Sequence, residues 1–446
     1  MAVDDATLFE LPEPQARPLG PTRPEDARVI RPVRQQIEWM ARDLEAILPE
    51  DHPARAIWNV LERLDLAGFY AGIKAVLDRP GRPTTDPQVL LGLWLLATVE
   101  GIGSARRLAR LCEEHDSYRW MSGGVPINYH MLADFRVVNG PALNDLLTEI
   151  VATLMDRGLV TVQAVAQDGI RVRASAGASS FRGETRLELC VEQARALVER
   201  LEREREQPDP MVTRRQQRAR ERAARERLAR VGEALAQLPQ IREAKERVAR
   251  RRGTTTPIGE ARASSTDPEA RVMRMGDGGF HPAYNVQLAT DVKSGVVVGV
   301  MVTNSGSDAG QALPMERQVS ERSGQHPRAY LMDGGFVDRG DITALERQGT
   351  TVYAPERRAR QADGTRAPLR ARAGDTPEVQ AWHARMQTDQ AQATYRKRAS
   401  SAEWVNAQLR ERHGLTRFTV RGTEKILSVM LLLTITHNLF RWTALT

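Results

Sequence analysis

The chain has 446 residues, 64 Lys+Arg against 57 Asp+Glu, a net charge of +7, 41% apolar and 5% aromatic residues. This is enough polypeptide for two or three domains with their own cores, and because only five basic residues are lysine, 59 are arginine, the side chain suited to bidentate phosphate contacts. Two cysteines, Cys112 and Cys190, exclude a disulfide framework and a four-cysteine zinc site, and fit a reducing compartment.

GC-rich coding also raises arginine content, so clustering along the chain says more than the total. Residues 1–30 carry Pro12, Pro14, Pro18, Pro21 and Pro24 among charges and read as a disordered tail. The opening MAVDDATLFE lacks the basic and apolar regions of a signal peptide, which predicts a cytoplasmic protein. From 31 to 160 apolar residues recur every three or four positions (Ile37, Met40, Leu44, Leu48; Ile57, Val60, Leu61, Leu64), predicting an all-α domain. Asp86-Pro87 is an N-cap with proline at N1, opening a helix through Thr98, and Ser104 caps the next one after the turn Glu100-Gly101-Ile102-Gly103. The pair resembles a helix-turn-helix whose second helix carries Arg106, Arg107 and Arg110, with Arg136 on a later helix. These arginines are candidates for a DNA backbone, and an ordinary solvated face would carry them equally well.

After Val160 the period changes to two. Strands are predicted at 162–174, 284–290, 295–302, 329–333 and 351–354, with helices at 308–323 and 338–348. The expectation for 161–446 is therefore an α/β domain with a mixed five-stranded sheet, an antiparallel opening hairpin and parallel additions. A helical hairpin at 184–252, broken at Pro208-Asp209-Pro210, interrupts it. Its apolar stripes are Leu187, Val191, Ala194, Val198, Leu201 and Leu228, Val231, Leu235, Leu238, Ile241. Residues 214–230 hold eight Arg and two Glu, and 356–372 six Arg with Glu356 and Asp363; single runs read as solvated faces, whereas several in a basic protein point to nucleic acid. The apolar stretch Ile426–Phe440 is shorter than a bilayer span and reads as a buried helix.

Neither a GxSxG, a P-loop nor a GxGxxG is present, which leaves the chemistry to carboxylates and hydroxyls. Asp168 lies inside the first strand, where acids are depleted. Asp333 ends the fourth and precedes Gly334-Gly335, which permit a sharp turn and close ligand approach. Strand ends of an open α/β sheet are where ligands bind, and Glu403 follows in the helical region. Two Asp and one Glu are hard oxygen ligands for Mg²⁺, and a pair of such ions suits phosphodiester displacement. Each acid also has a plainer reading: an edge-strand acid for Asp168, an Asp-Gly turn for Asp333, and for Glu403 a capping box with Ser400.

These motifs resemble the DDE-type transposases of bacterial insertion sequences. The resemblance runs through DPQVLLGLWLLATVEGIGSARRLARLCEE, YHMLADFR, QDGIRVRASA, DPEARVMRMGDGG with YNVQLATD, YLMDGGF and YRKRASSAEWVNAQLRERHG. It implies an RNase H-like catalytic domain, with Asp168, Asp333 and Glu403 as catalytic metal ligands for two Mg²⁺ ions, Mn²⁺ substituting. It also implies cleavage at the element's terminal inverted repeats, strand transfer into target double-stranded DNA, and a homodimer or larger assembly on DNA. Similar proteins carry a Tyr-Arg-Glu-Lys signature, matched here by Tyr395, Arg398 and Glu403, with Arg410 at the Lys position. Tyr395, Arg398 and Arg410 thereby join the candidate DNA contacts. On an unbroken α-helix five steps place Arg398 about 140° from Glu403, whereas Arg410, seven steps on, shares its face. Most relatives carry their large insertion after the fifth strand; here it follows the first, so the hairpin's role, DNA binding or dimerisation through its Leu/Val stripe, does not come with the resemblance. A domesticated DNA-binding protein without catalysis and a nuclease without strand transfer are the alternative functions.

Overall fold

The helical period of the first third becomes seven helices in a computed structural model that describes residues 43–75, 83–206, 212–253, 259–355 and 373–446. The expected tail, the 208–210 break and the arginine-rich 356–372 lie outside the described residues. The helices are α1 Pro53–Leu61, α2 Ala67–Tyr70, α3 Pro87–Val99, α4 Ala105–Glu114, α5 Asp116–Ser122, α6 Tyr129–Val138 and α7 Gly140–Asp156. The local signals act as read: the Asp86 side chain accepts from Gln88 N–H and that of Ser104 from Arg107 N–H, satisfying donors that a first helical turn leaves open. α3 is apolar all round and buried from Leu90 to Thr98, so it forms the centre of this layer.

The sheet follows. β1 is Ala164–Arg173 and the two-residue β2 Phe181–Arg182; then come α8 Glu184–Glu206, α9 Arg214–Ala236, α10 Leu238–Arg252, β3 Ala263–Ser264, β4 Arg271–Arg274, β5 Phe280–Asp291 and β6 Val297–Thr303. α11 Ala312–Ser323, β7 Ala329–Met332, α12 Arg339–Arg347 and β8 Thr351–Tyr353 complete the α/β region. β1 pairs antiparallel with β5 and parallel with β7, which pairs parallel with β8. On its other edge β5 carries β6 along Asn285–Thr290 and β4 along Phe280–Ala283. Among the described residues the sheet thus has six strands, one more than the five expected. β4 escapes the sequence pattern because it is four residues long with arginine at both ends and only Met273 buried; the excess length of β5 gives it a partner.

The interruption after β1 is three helices rather than two, since Pro239 at the start of α10 ends the run of α9. Its two stripes pack on each other: Leu187 of α8 lies in one buried cluster with Val231, Ala234, Leu238 and Ile241, apart from the main core. Leu187, Val231, Leu238 and Ile241 are thus used within the insertion itself, while Val191, Val198, Leu228 and Leu235 stay half-buried.

After α13 Pro377–Arg385, α14 Asp389–Arg396 and α15 Trp404–Glu411, the chain ends in α16 Thr423–Leu445. α16 packs against α3, α6 and α7 and against β6, so the helical layer and the sheet share one core within the compact unit Leu44–Thr446. By length and composition it is the one described helix that could cross a bilayer, yet twelve of its residues between Ile426 and Leu439 are buried in the protein. Its polar residues grip the β5–β6 turn: His437 Nε2 bonds Gly295 O at 2.9 Å, Asn438 bonds both Val297 N and Val297 O at 2.8 Å, and Arg441 donates to Ser294 O.

Burial pulls the His437 imidazole from 6.5 down to about 4. The folded state therefore holds it neutral while the unfolded chain protonates it, so stability present above pH 6.5 is lost as the pH falls from 6.5 to 4. The loss over that window is about 3 kcal/mol. In denaturant titrations His437→Gln should flatten this part of the stability–pH profile relative to the wild type; an unchanged slope would remove His437 as its cause.

Candidate active site

Strand register decides the first two acids. The β1–β7 ladder runs from Ala164↔Ala329 to Gln167↔Met332, so Asp168 and Asp333 occupy the next step, side by side where β7 ends. Asp333 Oδ1 accepts from Gly335 N–H at 2.5 Å, which folds the chain back at the Gly-Gly step. Asp168 Oδ1 accepts from Gly169 N–H at 3.0 Å. Behind it, on the other face of β1, Gly169 has no Cβ where one would meet the side chains of Asp308, Gln287 and Asn285. Those groups form a buried polar layer: Gln287 and Asn285 donate to Asp308 Oδ1, Gln167 donates to Gln287, and Tyr330 O–H donates to Gln167. Gln167, Gln287 and Tyr330 thus tie β5, β1 and β7 together one residue before Asp168, which gives that carboxylate a fixed base.

Glu403 arrives by a different route. Residues Ala399–Glu403 form a π-helical turn between α14 and α15, with Glu403 N–H directed at Arg398 O. A hydrogen bond spanning five residues sets Arg398 and Glu403 over one another, which corrects the 140° separation expected for an unbroken α-helix. Arg398 Nη2 donates to Glu403 Oε1 at 2.5 Å, and its Nη1 lies 3.3 Å from Asp168 Oδ1. Its guanidinium carbon also lies 6.0 Å from the centre of the Tyr395 ring. Arg398 is buried and Glu403 half exposed. Ser400, expected as the alternative partner of Glu403 in a capping box, instead donates to Lys397 O.

The electrostatics follow from this packing. Burial pushes the Asp168 carboxyl above its ordinary value, opposed by Arg398, Gly169 N–H and Asn406, while the neighbouring Asp333 charge pushes it further up. Burial alone would lower the Arg398 guanidinium, but Asp168, Tyr395 and Glu403 hold it above its usual value. Asn406 of α15, unnoticed in the sequence, donates from Nδ2 to Asp168 Oδ2 at 2.8 Å. Each oxygen of Asp168 therefore has a donor or cation from the 398–406 segment.

Among the described residues no three His, Cys, Asp or Glu side chains converge as a ready metal cluster. The donor chemistry nevertheless fits a divalent cation: two adjacent hard carboxylates, and a third held next to them by a guanidinium that already supplies positive charge between Asp168 and Glu403. Asn406 Oδ1 is buried without a hydrogen-bond partner beside them.

The other candidates divide. Arg106, Arg107 and Arg110 are exposed on α4; Arg106 lies 5.0 Å over the Tyr129 ring and, with Arg110, Thr84, Thr85 and Asn128, lines an open groove. Arg410 is exposed on α15. Arg136 is not a surface contact: it is 6% exposed, sits 4.2 Å over the Trp94 ring and donates to Gly103 O at 2.9 Å. Burial lowers its pKa to about 10. It braces the turn between α3 and α4, a role hidden in sequence because both partners are distant along the chain. Elsewhere in the α/β region Asp338 caps α12, Asp291 accepts from Ser294 and Val162 N–H, and Asp267 accepts from Tyr284.

Comparison with known families gives two matches. A family described as Transposase domain (DUF772) matches residues 42–137, and one described as Transposase DDE domain matches 358–443. No curated protein and no solved structure matches the chain.

Proposed function

From a chain that belongs to the DDE-type insertion-sequence transposases, we propose an RNase H-like transposase that cleaves DNA at the ends of its element and joins them to target DNA in the bacterial cytoplasm. The observation that carries this reading is that Asp168 and Asp333 directly follow the last paired step of the β1–β7 ladder, with Glu403 tied to Asp168 through Arg398. Strand order supports the fold: counting the five principal strands β1, β5, β6, β7 and β8 as 1 to 5, the sheet reads 3-2-1-4-5, antiparallel through the first three and parallel in the last two.

Asp168, Asp333 and Glu403 would hold two Mg²⁺ ions, Mn²⁺ substituting, whose chemistry is Lewis-acid activation of the attacking oxygen and stabilisation of the leaving one. Hydrolysis at the element's end frees a 3′ hydroxyl, which then displaces an oxygen at a target phosphodiester; each step forms one P–O bond and breaks another. The protein's part is positioning. The Gln167–Gln287–Tyr330 layer fixes Asp168, the Asp333–Gly335 turn aims Asp333, and Arg398 neutralises the carboxylates until the substrate is in place. Arg106, Arg107, Arg110 and Arg410, with Tyr395, are the proposed DNA contacts, whose phosphate component weakens with salt; Arg398, expected among them, is instead buried against Asp168 and Glu403. Joining requires paired ends, so a homodimer or larger assembly on DNA belongs to the same proposal.

A pre-cut end carrying a terminal inverted repeat, incubated with the protein, a plasmid and Mg²⁺ or Mn²⁺, should become covalently joined to the plasmid. Cutting of uncut ends without any joining would mark a nuclease, and specific end binding without either step a DNA-binding protein that has lost catalysis.

A further inference from the structure

Asn406 is the side chain at the acidic site that the carboxylates leave unexplained. It is 9% exposed, three residues beyond Glu403 and therefore on the same helical face. Its Nδ2 is spent on Asp168, but its Oδ1 is buried and unpaired. A buried acceptor without a partner is destabilising, and such a group in a folded protein calls for a ligand or a chemical role. Holding Asp168 uses only the nitrogen and leaves that cost unexplained.

Neutral amide oxygens bind Mg²⁺ alongside carboxylates, as the catalytic-loop asparagine of protein kinases does. Here the cationic Arg398 approaches Asp168 Oδ1 and the Asn406 amide bonds Oδ2, so both positions favoured by positive charge around Asp168 are filled from the segment that carries Glu403. We propose that Asn406 is a further metal ligand, its Oδ1 binding the divalent cation held by Asp168. The inference rests on reading Asp168 and Asp333 as metal-binding residues.

Mn²⁺ binding by the full-length protein without DNA, followed by the electron paramagnetic resonance signal of free Mn²⁺, tests it independently of turnover. Asp168→Asn and Asp333→Asn test the underlying reading, and both should abolish the site. Asn406→Ala should weaken binding roughly 10-fold or more. Asn406→Asp discriminates: a ligand position given a full charge should bind Mn²⁺ more tightly than the wild type, and the metal-free variant should melt lower because a carboxylate then faces Asp168. If Asn406 only positions Asp168 by donating a hydrogen bond, the Asp variant loses that donor and binds more weakly than the wild type, which overturns the proposal; so does wild-type affinity in Asn406→Ala. Loss of binding in the two Asp variants with no loss in Asn406→Ala sinks this inference alone, whereas a wild type without an Mn²⁺ site sinks both. A cooperative melt for each variant shows that it is folded, and the isosteric Asn406→Leu replaces Asn406→Ala if the latter is not.

Discussion

Asp333→Ala and Asp168→Asn should each lower strand cleavage at an inverted-repeat end by roughly 10³-fold or more, about 4 kcal/mol of transition-state stabilisation, while end binding changes little. The two residues directly follow the last paired step of the β1–β7 ladder, Gln167↔Met332, so removing either takes away half of a neighbouring pair of oxygen donors. Neither contributes to the exposed arginines of α4, which lie in another layer of the fold. The loss in cleavage should therefore appear at every salt concentration, with the slope of binding against salt unchanged. Cleavage on a denaturing gel and end binding by mobility shift, measured on one preparation, make the comparison. Residual cleavage within tenfold of wild type would show that these acids are not the reacting pair. Asp168→Asn is the gentler substitution, since the amide keeps the shape of the carboxylate and an acceptor for Gly169 N–H.

Asn438→Leu should destabilise the fold by about 4 kcal/mol. Asn438 is fully buried and its amide satisfies both the N–H and the C=O of Val297 at the start of β6. β6 pairs with β5 on one side only, so those two groups have no strand partner to fall back on. Leucine is similar in size but strands both, at roughly 1–3 kcal/mol each. Against the 5–15 kcal/mol typical of a domain this is a large fraction, and it should appear as a lower guanidinium midpoint with an unchanged m-value. A shift below 1 kcal/mol would mean that solvent or a rearranged turn replaces the lost bonds. The effect reaches beyond β6, because α16 carries Asn438 and also packs against α3, α6 and α7.

What could be read from the residues alone was whatever is local or periodic. Asp86-Pro87 and Ser104 act within three residues of themselves, and the alternation around Asp168 and the Gly-Gly after Asp333 were enough to place the first acid inside a strand and the second at the end of one. The Leu and Val stripes of the insertion announced helices, though not that they bury one another. Arg136 was misread because an arginine on an amphipathic helix looks solvated until Trp94 and Gly103, more than thirty residues away, are seen to enclose it. The turn at Ala399–Glu403 was misread for a different reason. Nothing in Ala-Ser-Ser-Ala distinguishes a bond over five residues from one over four; the extra residue is favoured by what Arg398 meets in space, Asp168 on one side and Glu403 on the other. Asn406 stayed silent for the same cause, since its partner lies 238 positions earlier.

The helical insertion closes on itself at its base. Phe181 and Arg182 pair with Ser264 and Ala263, bringing the chain's departure from the six-stranded sheet and its return into one two-stranded clasp, and the helices beyond that clasp fill a cluster of their own. Such a segment behaves as a cassette. It can be lengthened or trimmed without redrawing the sheet beneath, because its buried cluster is separate from the main core and the entropic cost of loop length grows slowly. Evolution can thus retune what this arm touches while Asp168, a few residues upstream on the same polypeptide, keeps its surroundings unaltered.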